Sequence, residues 1–200
     1  MSRQSEESTQ SLTQAGAQSE YSSEERTFLL HLARESILSL LERREMSLLT
    51  PSEHLSEARG VFTTLYSKGI LRGCVGYPAA MLPLHRAVAE TSRAAASEDP
   101  RFYPLRLEET QHLKISLSVL SHLQPITPEQ VEVGRHGLVI SQGARRGLLL
   151  PQVPVEHGWD RLLFLEQTCL KAGLPPDAWR TAVRIEAFTA ESFSNEDRGS

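Results

Sequence analysis

The chain is organised around a short stretch that combines apolar residues, two glycines and one cysteine, Leu71-Arg72-Gly73-Cys74-Val75-Gly76. Residues 70–77 as a whole predict an extended strand that is closed by Pro78. Side chains alternate across a strand, so one face is expected to carry Arg72, Cys74 and Gly76. The other face is expected to carry Leu71, Gly73 and Val75. Because Leu71 and Val75 are apolar, we predict that this second face packs against the core.

The thiol of Cys74 has two interpretations. A positive charge such as that of Arg72 stabilises a thiolate, and glycine within a strand often marks a place where another group approaches closely. On this interpretation Cys74 is an activated nucleophile or redox thiol, and Arg72 holds an anionic group. On the other, Cys74 is a small buried hydrophobic residue and the glycines serve tight packing. The second cysteine, Cys169, lies on the apolar stripe of a predicted helix and is expected in the core.

The segments on either side of this strand predict a hairpin and two helices. Residues 61–66 are rich in β-branched and aromatic residues, which favour a strand, and a short turn joins them to residues 70–77. Residues 22–25 fit a capping box at the start of an amphipathic helix. Residues 84–97 are alanine-rich and predict a second helix.

The second half of the chain predicts further strands and one more helix. Residues 114–121 alternate strictly between apolar and polar side chains, the pattern of a half-buried strand. Residues 131–140 predict a second hairpin around the turn at 134–137. The remaining elements are a strand at 147–151, a helix at 158–172 and a closing strand at 181–188. Since hairpins require antiparallel pairing, the sequence predicts an α+β fold with antiparallel sheets and flanking helices.

Length and composition set the domain organisation. A chain of 200 residues suits one domain with a sizeable core. Residues 1–22 are polar and predict a disordered N-terminal arm. We expect the folded domain to span residues 23–192 and a flexible tail to follow at 193–200.

The composition also argues against several classes of protein. The net charge of −4 and the pI near 6.0 disfavour a dedicated nucleic-acid binder. No apolar run is long enough for a membrane helix, and the N-terminus lacks the features of a secretory signal. Two cysteines make no disulfide framework, so a cytoplasmic location is expected. No ligand spacing typical of a metal site and no phosphate-binding loop is present; we expect no metal site, and the cofactor is left open.

A second candidate region lies between a predicted strand and a predicted helix, Glu156-His157-Gly158-Trp159-Asp160. Loops at such positions often carry function, and a nucleophilic thiol requires a base within reach. His157 and Glu156 are therefore the candidate acid and base. The alternative is structural: Asp160 caps the helix, Trp159 packs, and His157 lies on the surface.

Together these motifs resemble the AMMECR family. Residues 71–76 are similar to its Leu-Arg-Gly-Cys-Ile-Gly signature, with Val75 where isoleucine is usual. Further matching segments occur in the same order at residues 99–102, 116–121, 147–153 and 156–160. The resemblance runs from about residue 25 to residue 188.

The resemblance implies a larger and a smaller lobe, with the signature strand near the cleft between them. Prokaryotic members look like protein A of the AmmeMemoRadiSam system, which is associated with a Memo-like protein and a radical-SAM protein. The matching motifs supply the candidate binding residues, which are Gly73, Gly76, Asp99, Arg101, Trp159 and Asp160.

Two functions follow as hypotheses. The protein is either an enzyme or enzyme component that uses the face of Arg72 and Cys74, or a non-enzymatic adaptor for a Memo-like or radical-SAM partner. Nucleic-acid binding is the weakest alternative because of the charge.

Overall fold

The computed structural model describes residues 19–47 and 51–196. Most of the predicted arm, residues 1–18, and the last four residues of the predicted tail, 197–200, lie outside the described residues. The described residues contain four α-helices and eight strands, and the strands form two four-stranded antiparallel sheets. This arrangement confirms the predicted α+β class. No helix in the described ranges combines the length and the hydropathy needed to cross a membrane.

The elements have the following bounds. The helices are α1 Ser23–Leu41, α2 Leu84–Ser97, α3 Gln152–Glu156 and α4 Arg161–Lys171. The strands are β1 Val61–Ser67, β2 Ile70–Tyr77, β3 Leu113–Leu120, β4 Gln124–Pro125, β5 Gly137–Gln142, β6 Arg145–Leu149, β7 Arg184–Phe188 and β8 Ala190–Ser194. The predicted strand at 70–77 and helix at 84–97 are therefore confirmed to the residue.

The larger lobe contains the sheet with strand order β2-β1-β3-β8. Helices α1 and α2 cover one face of this sheet, where alternate residues of β1 and β3 are buried. The capping box predicted at Ser22 and Glu25 begins α1. The lobe also includes chain beyond the predicted domain limits of 23 and 192. Tyr21 is 2% exposed and Phe193 is 4% exposed, and both belong to this core.

The smaller lobe contains the sheet with strand order β4-β7-β5-β6, and α4 packs on it. The hairpin predicted at residues 131–140 is wrong. Strand β5 pairs instead with β6, and the turn between them contains Gly143 with a φ of 60°. Residues 131–133 form no strand. Val131 is buried in the core of the smaller lobe, whereas Val133 is exposed. Two residues that would share one face of a strand therefore lie in different environments.

A third apolar cluster joins the two lobes. Its buried members are Leu120, Val139 and Phe188, and Phe62 and Leu148 pack against them. Strand β3 contributes Leu120 from the larger lobe, and β5 and β7 contribute the other two from the smaller one. We call this the junction cluster; the cleft between the lobes opens beside it.

Strand β2 is an edge strand whose pairing with β1 contains a bulge. Leu65 lies opposite Gly73, but Tyr66 lies opposite Leu71, so that Arg72 is an additional residue. The strict alternation predicted for residues 70–77 is therefore wrong at this point. Val75 packs against the core as predicted. Leu71 was predicted to do the same, but the shifted register places it opposite Tyr66. Tyr66 lies on the face of β1 that is turned away from the core.

Gly73 faces α2 across a very close contact. A Cβ built on Gly73 would overlap the carbonyl group of Ala95, which belongs to the helix backbone and cannot rotate away as a side chain can. The absence of a side chain at position 73 therefore lets α2 lie directly against the edge strand.

We predict that Gly73→Ala lowers the free energy of unfolding by about 2 kcal/mol or more, the cost of overpacking against a rigid neighbour. Urea denaturation followed by circular dichroism measures this value. Gly69→Asn is the control, because position 69 has open space around it and a φ of 78° that Asn adopts more readily than other side chains; a smaller loss than that of Gly73→Ala is expected there, since the change adds backbone strain without a steric overlap. Equal stability of Gly73→Ala and the original protein would contradict the close contact.

Candidate functional site

The free edge of β2 is capped at Cys74 by two side chains from the segment after α2. The backbone N–H of Cys74 donates to Asp99 Oδ2 at 2.8 Å, and Arg101 Nη2 donates to the Cys74 carbonyl oxygen at 3.4 Å. Asp99 and Arg101 also form an ion pair of 2.7 Å. Unpaired backbone groups on an edge strand invite pairing with other chains. The structure thus brings together three of the predicted site residues and uses two of them to block the edge.

Asp99 is held as a carboxylate. It is 5% exposed, and hydrogen bonds from the Arg101 side chain lower its pKa well below the usual range against the opposing effect of burial. The backbone N–H groups of Cys74 and Arg101 lower it further. Because all of these donors belong to the protein itself, Asp99 is poorly suited to accept a proton from a substrate.

Arg72 is also occupied by an internal partner. Its Nε donates to Glu109 Oε1 at 2.7 Å and its Nη2 donates to Glu109 Oε2 at 3.1 Å, which makes a bidentate pair. The Arg72 side chain lowers the pKa of Glu109. The sequence hypothesis assigned Arg72 to an anionic ligand and did not include Glu109, since nothing in the local pattern links the two residues.

The thiol of Cys74 is half-buried and lies 3.3 Å from the Thr64 hydroxyl. Thr64 is the residue directly opposite on β1, so the predicted hairpin register was a signal that could have identified it. The guanidinium group that contacts Cys74, through its carbonyl oxygen, belongs to Arg101 rather than to Arg72.

Gly76 leaves space for a group of the protein itself. The Phe62 ring fills this space from the opposite position on β1, and a Cβ on Gly76 would overlap that ring and crowd the Val61 carbonyl oxygen. An aromatic ring over a cross-strand glycine is a recurrent packing device in sheets. The space at Gly76 is therefore filled from within the lobe.

The second candidate region lies in the smaller lobe. His157 follows α3 and stacks on Trp159, with ring centroids 4.8 Å apart. Asp160 accepts a hydrogen bond from the N–H of Leu163 at 2.8 Å and caps α4, while Trp159 packs against the second core. Across the described ranges no hydrogen bond, ion pair or ring contact joins Glu156 or His157 to Cys74. These geometries match the structural alternative for Asp160 and Trp159.

The sheet of the larger lobe has a second face, turned away from α1 and α2, which we call the open face. Its half-buried residues include Phe62, Thr64, Tyr66, Cys74, Lys114, Ser116 and Ser118. Lys114 pairs with Glu196 at 2.7 Å, and the Ser118 hydroxyl bonds to that of Ser192 at 2.8 Å. The other side chains named here are aromatic rings, hydroxyl groups and one thiol. Nowhere in residues 19–47 and 51–196 do three or more His, Cys, Asp or Glu side chains gather in a way that would hold a metal ion.

The fold and the site together define a class of protein. It is a two-lobed α+β domain in which a capped edge strand carries a cysteine between two glycines. The chain belongs to the AMMECR1 family, because the family model of that description matches residues 30–193. This confirms the family resemblance of the sequence motifs.

Similar proteins occur in archaea and bacteria. A protein of Methanopyrus kandleri is 46% identical over 186 residues, covering 87% of this chain and 90% of its own length. A protein of Aquifex aeolicus is 41% identical over 179 residues, covering 84% and 92%. The crystal structure of an uncharacterized protein from Pyrococcus horikoshii superposes with a TM-score of 0.71 at 42% identity, covering 84% of this chain and 90% of that one.

We predict that Asp99→Asn lowers the free energy of unfolding at pH 7 by roughly 1.5–3 kcal/mol, the range for a hydrogen bond to a charged group. Because the folded-state pKa of Asp99 is lowered, its contribution is present above the ordinary value of about 3.9 and is lost as the pH falls further. The stabilities of the variant and the original protein should therefore begin to converge as the pH falls below about 4.

Urea denaturation across this pH range measures the effect. Asp177→Asn is the matched control, because Asp177 is exposed and makes no side-chain cap. A constant difference between Asp99→Asn and the original protein at every pH would contradict the assignment.

Proposed function

We propose that this protein is a non-enzymatic binding module of an AmmeMemoRadiSam system, and that its open face docks a Memo-like or radical-SAM protein. The observation that supports this is the internal pairing of the charged groups beside Cys74. Arg72 pairs with Glu109 and Arg101 pairs with Asp99, so these groups are committed to each other. What the open face offers to another molecule is a surface of aromatic, hydroxyl and thiol groups, on which Lys114 is paired with Glu196.

The chemistry of the open face suits protein contact. Burial of a charge without a partner is costly, whereas hydroxyl groups find hydrogen-bond partners at modest cost. The aromatic rings of Phe62 and Tyr66 lie on the same face as these small hydroxyl groups, and aromatic residues are enriched in interfaces. The small side chains of Ser116 and Ser118 allow a partner to approach the sheet closely.

We predict that Ser118→Arg weakens capture of the Memo-like or radical-SAM protein encoded by the same genome by at least about tenfold. The long charged side chain would cover the open face and would have to be desolvated by a docked partner. Isothermal titration with each purified partner measures the affinity, and the urea midpoint verifies the fold.

Ser56→Arg introduces the same charge at an exposed position in the short helical turn at His54–Ser56, and should leave the affinity unchanged. Equal affinities of the two variants would contradict docking on the open face. Gly76 is unsuitable for this test, since any side chain there collides with Phe62.

The alternative function is that of an enzyme or enzyme component with Cys74 as nucleophile or redox thiol. One observation favours it: the thiol is half-buried rather than enclosed, and the Arg101 guanidinium contacts the carbonyl oxygen of the same residue. No histidine or carboxylate is hydrogen-bonded to the thiol in the described part of the chain, which leaves the alternative without a base.

Alkylation by iodoacetamide separates the two functions. The binding proposal predicts that Cys74 reacts no faster at pH 6–7 than a free thiol such as glutathione. Cys169 is an internal control, because it is fully buried and burial raises its pKa; it should remain unlabelled in the folded protein. A Cys74 that reacts many times faster than glutathione below about pH 8 would overturn the binding proposal in favour of the enzyme.

A further inference from the structure

Two adjoining cavities lie in the cleft between the lobes. One has a volume of about 380 Å³ and is lined by residues that include Arg59, His122 and Phe188. The other has a volume of about 580 Å³ and is lined by residues that include Phe62 and Lys171. Pro78 and Arg146 line both. Their volumes fall within the range of small-molecule sites.

The charged side chains of both linings are all basic. Arg59, Arg146 and Lys171 line the cavities together with His122, and neither lining includes an Asp or Glu from the described ranges. This is a local bias in a chain whose net charge is −4. A concave surface lined by one sign of charge attracts the opposite charge.

The three cationic side chains differ in whether they form an ion pair within the protein. Arg59 is 5% exposed and its guanidinium pairs with Glu20 at 2.6 Å and Glu57 at 3.0 Å. Arg146 and Lys171 are exposed, and within residues 19–47 and 51–196 neither side chain makes an ion pair or a hydrogen bond. Arg59 is therefore neutralised by the protein, whereas Arg146 and Lys171 are available to a ligand.

The rest of the larger cavity is apolar. Strand β6 and the chain that follows it contribute leucines at positions 148, 149 and 150, α3 contributes Val153, and β1 contributes Phe62. Because Arg146 stands at the boundary shared by the two cavities, a ligand that fills the apolar side can place a charged group against it.

We propose that the cleft binds a small organic anion, with an apolar body against the wall formed by Phe62 and residues 148–150 and a carboxylate or phosphate group held by Arg146 and Lys171. This site shares Phe62 with the open face, but Arg146 and Lys171 belong to the smaller lobe, and the proposal does not depend on the docking of a partner. The guanidinium of Arg146 suits either oxyanion through bidentate hydrogen bonds.

The test uses 8-anilinonaphthalene-1-sulfonate, a fluorescent probe with an aromatic body and one sulfonate. We expect the folded protein to bind one probe molecule, and Arg146→Glu to weaken this binding by at least about tenfold. Arg145→Glu is the matched control: it changes the charge equally on the neighbouring residue of β6, which lines neither cavity and donates to the Gly173 carbonyl oxygen at 3.4 Å. It should retain affinity within about twofold.

Displacement of the probe identifies the anion. Octyl phosphate as the stronger competitor indicates a phosphate ligand, and octanoate as the stronger competitor indicates a carboxylate. Octanol, which has the same body without charge, should compete at least about tenfold more weakly than the better anion. Urea midpoints of all variants ensure that the probe reports a folded site. Equal probe binding by Arg146→Glu and Arg145→Glu, or competition by octanol equal to that of both anions, would overturn the proposal.

Discussion

The close approach of α2 to the edge strand at Gly73 is the constraint on which the larger lobe depends. Because position 73 has no side chain, the backbone of Ala95 lies against β2. This contact fixes the end of α2, and Asp99 follows one residue after the C-cap of that helix. Asp99 therefore reaches the N–H of Cys74, and the capping of the edge strand is a consequence of how closely the helix packs.

Two other glycines shape the cleft in a related way, because the absence of a side chain at each leaves space for an aromatic ring from the neighbouring strand. The Phe62 ring lies over Gly76 in the larger lobe, and the Phe188 ring lies over Gly137 in the smaller one. Both rings belong to the junction cluster. The lobes thus meet through two rings that a Cβ at either glycine would displace, and the cavities of the cleft form beside this contact.

Local pattern was sufficient for most of the secondary structure. The limits of β2 and α2 were predicted to the residue, and the capping box at Ser22 was confirmed, because turns, caps and periodicity are local properties. The hairpin at residues 131–140 was wrong because two short apolar runs around a glycine satisfy the same pattern whether or not they pair. The bulge at Arg72 was missed since it is a property of the pairing with β1.

The sequence by itself determined the α+β class, the family signature and the presence of one thiol between two glycines, because these depend only on the order of residues along the chain. Only the tertiary structure decided which charges are paired. Arg72 meets Glu109 across 37 positions and Cys74 meets Asp99 across 25, whereas Arg146 meets no carboxylate in the described ranges. Ion pairing depends on distances in space, and these follow from how α2 packs on the sheet and how the two lobes join.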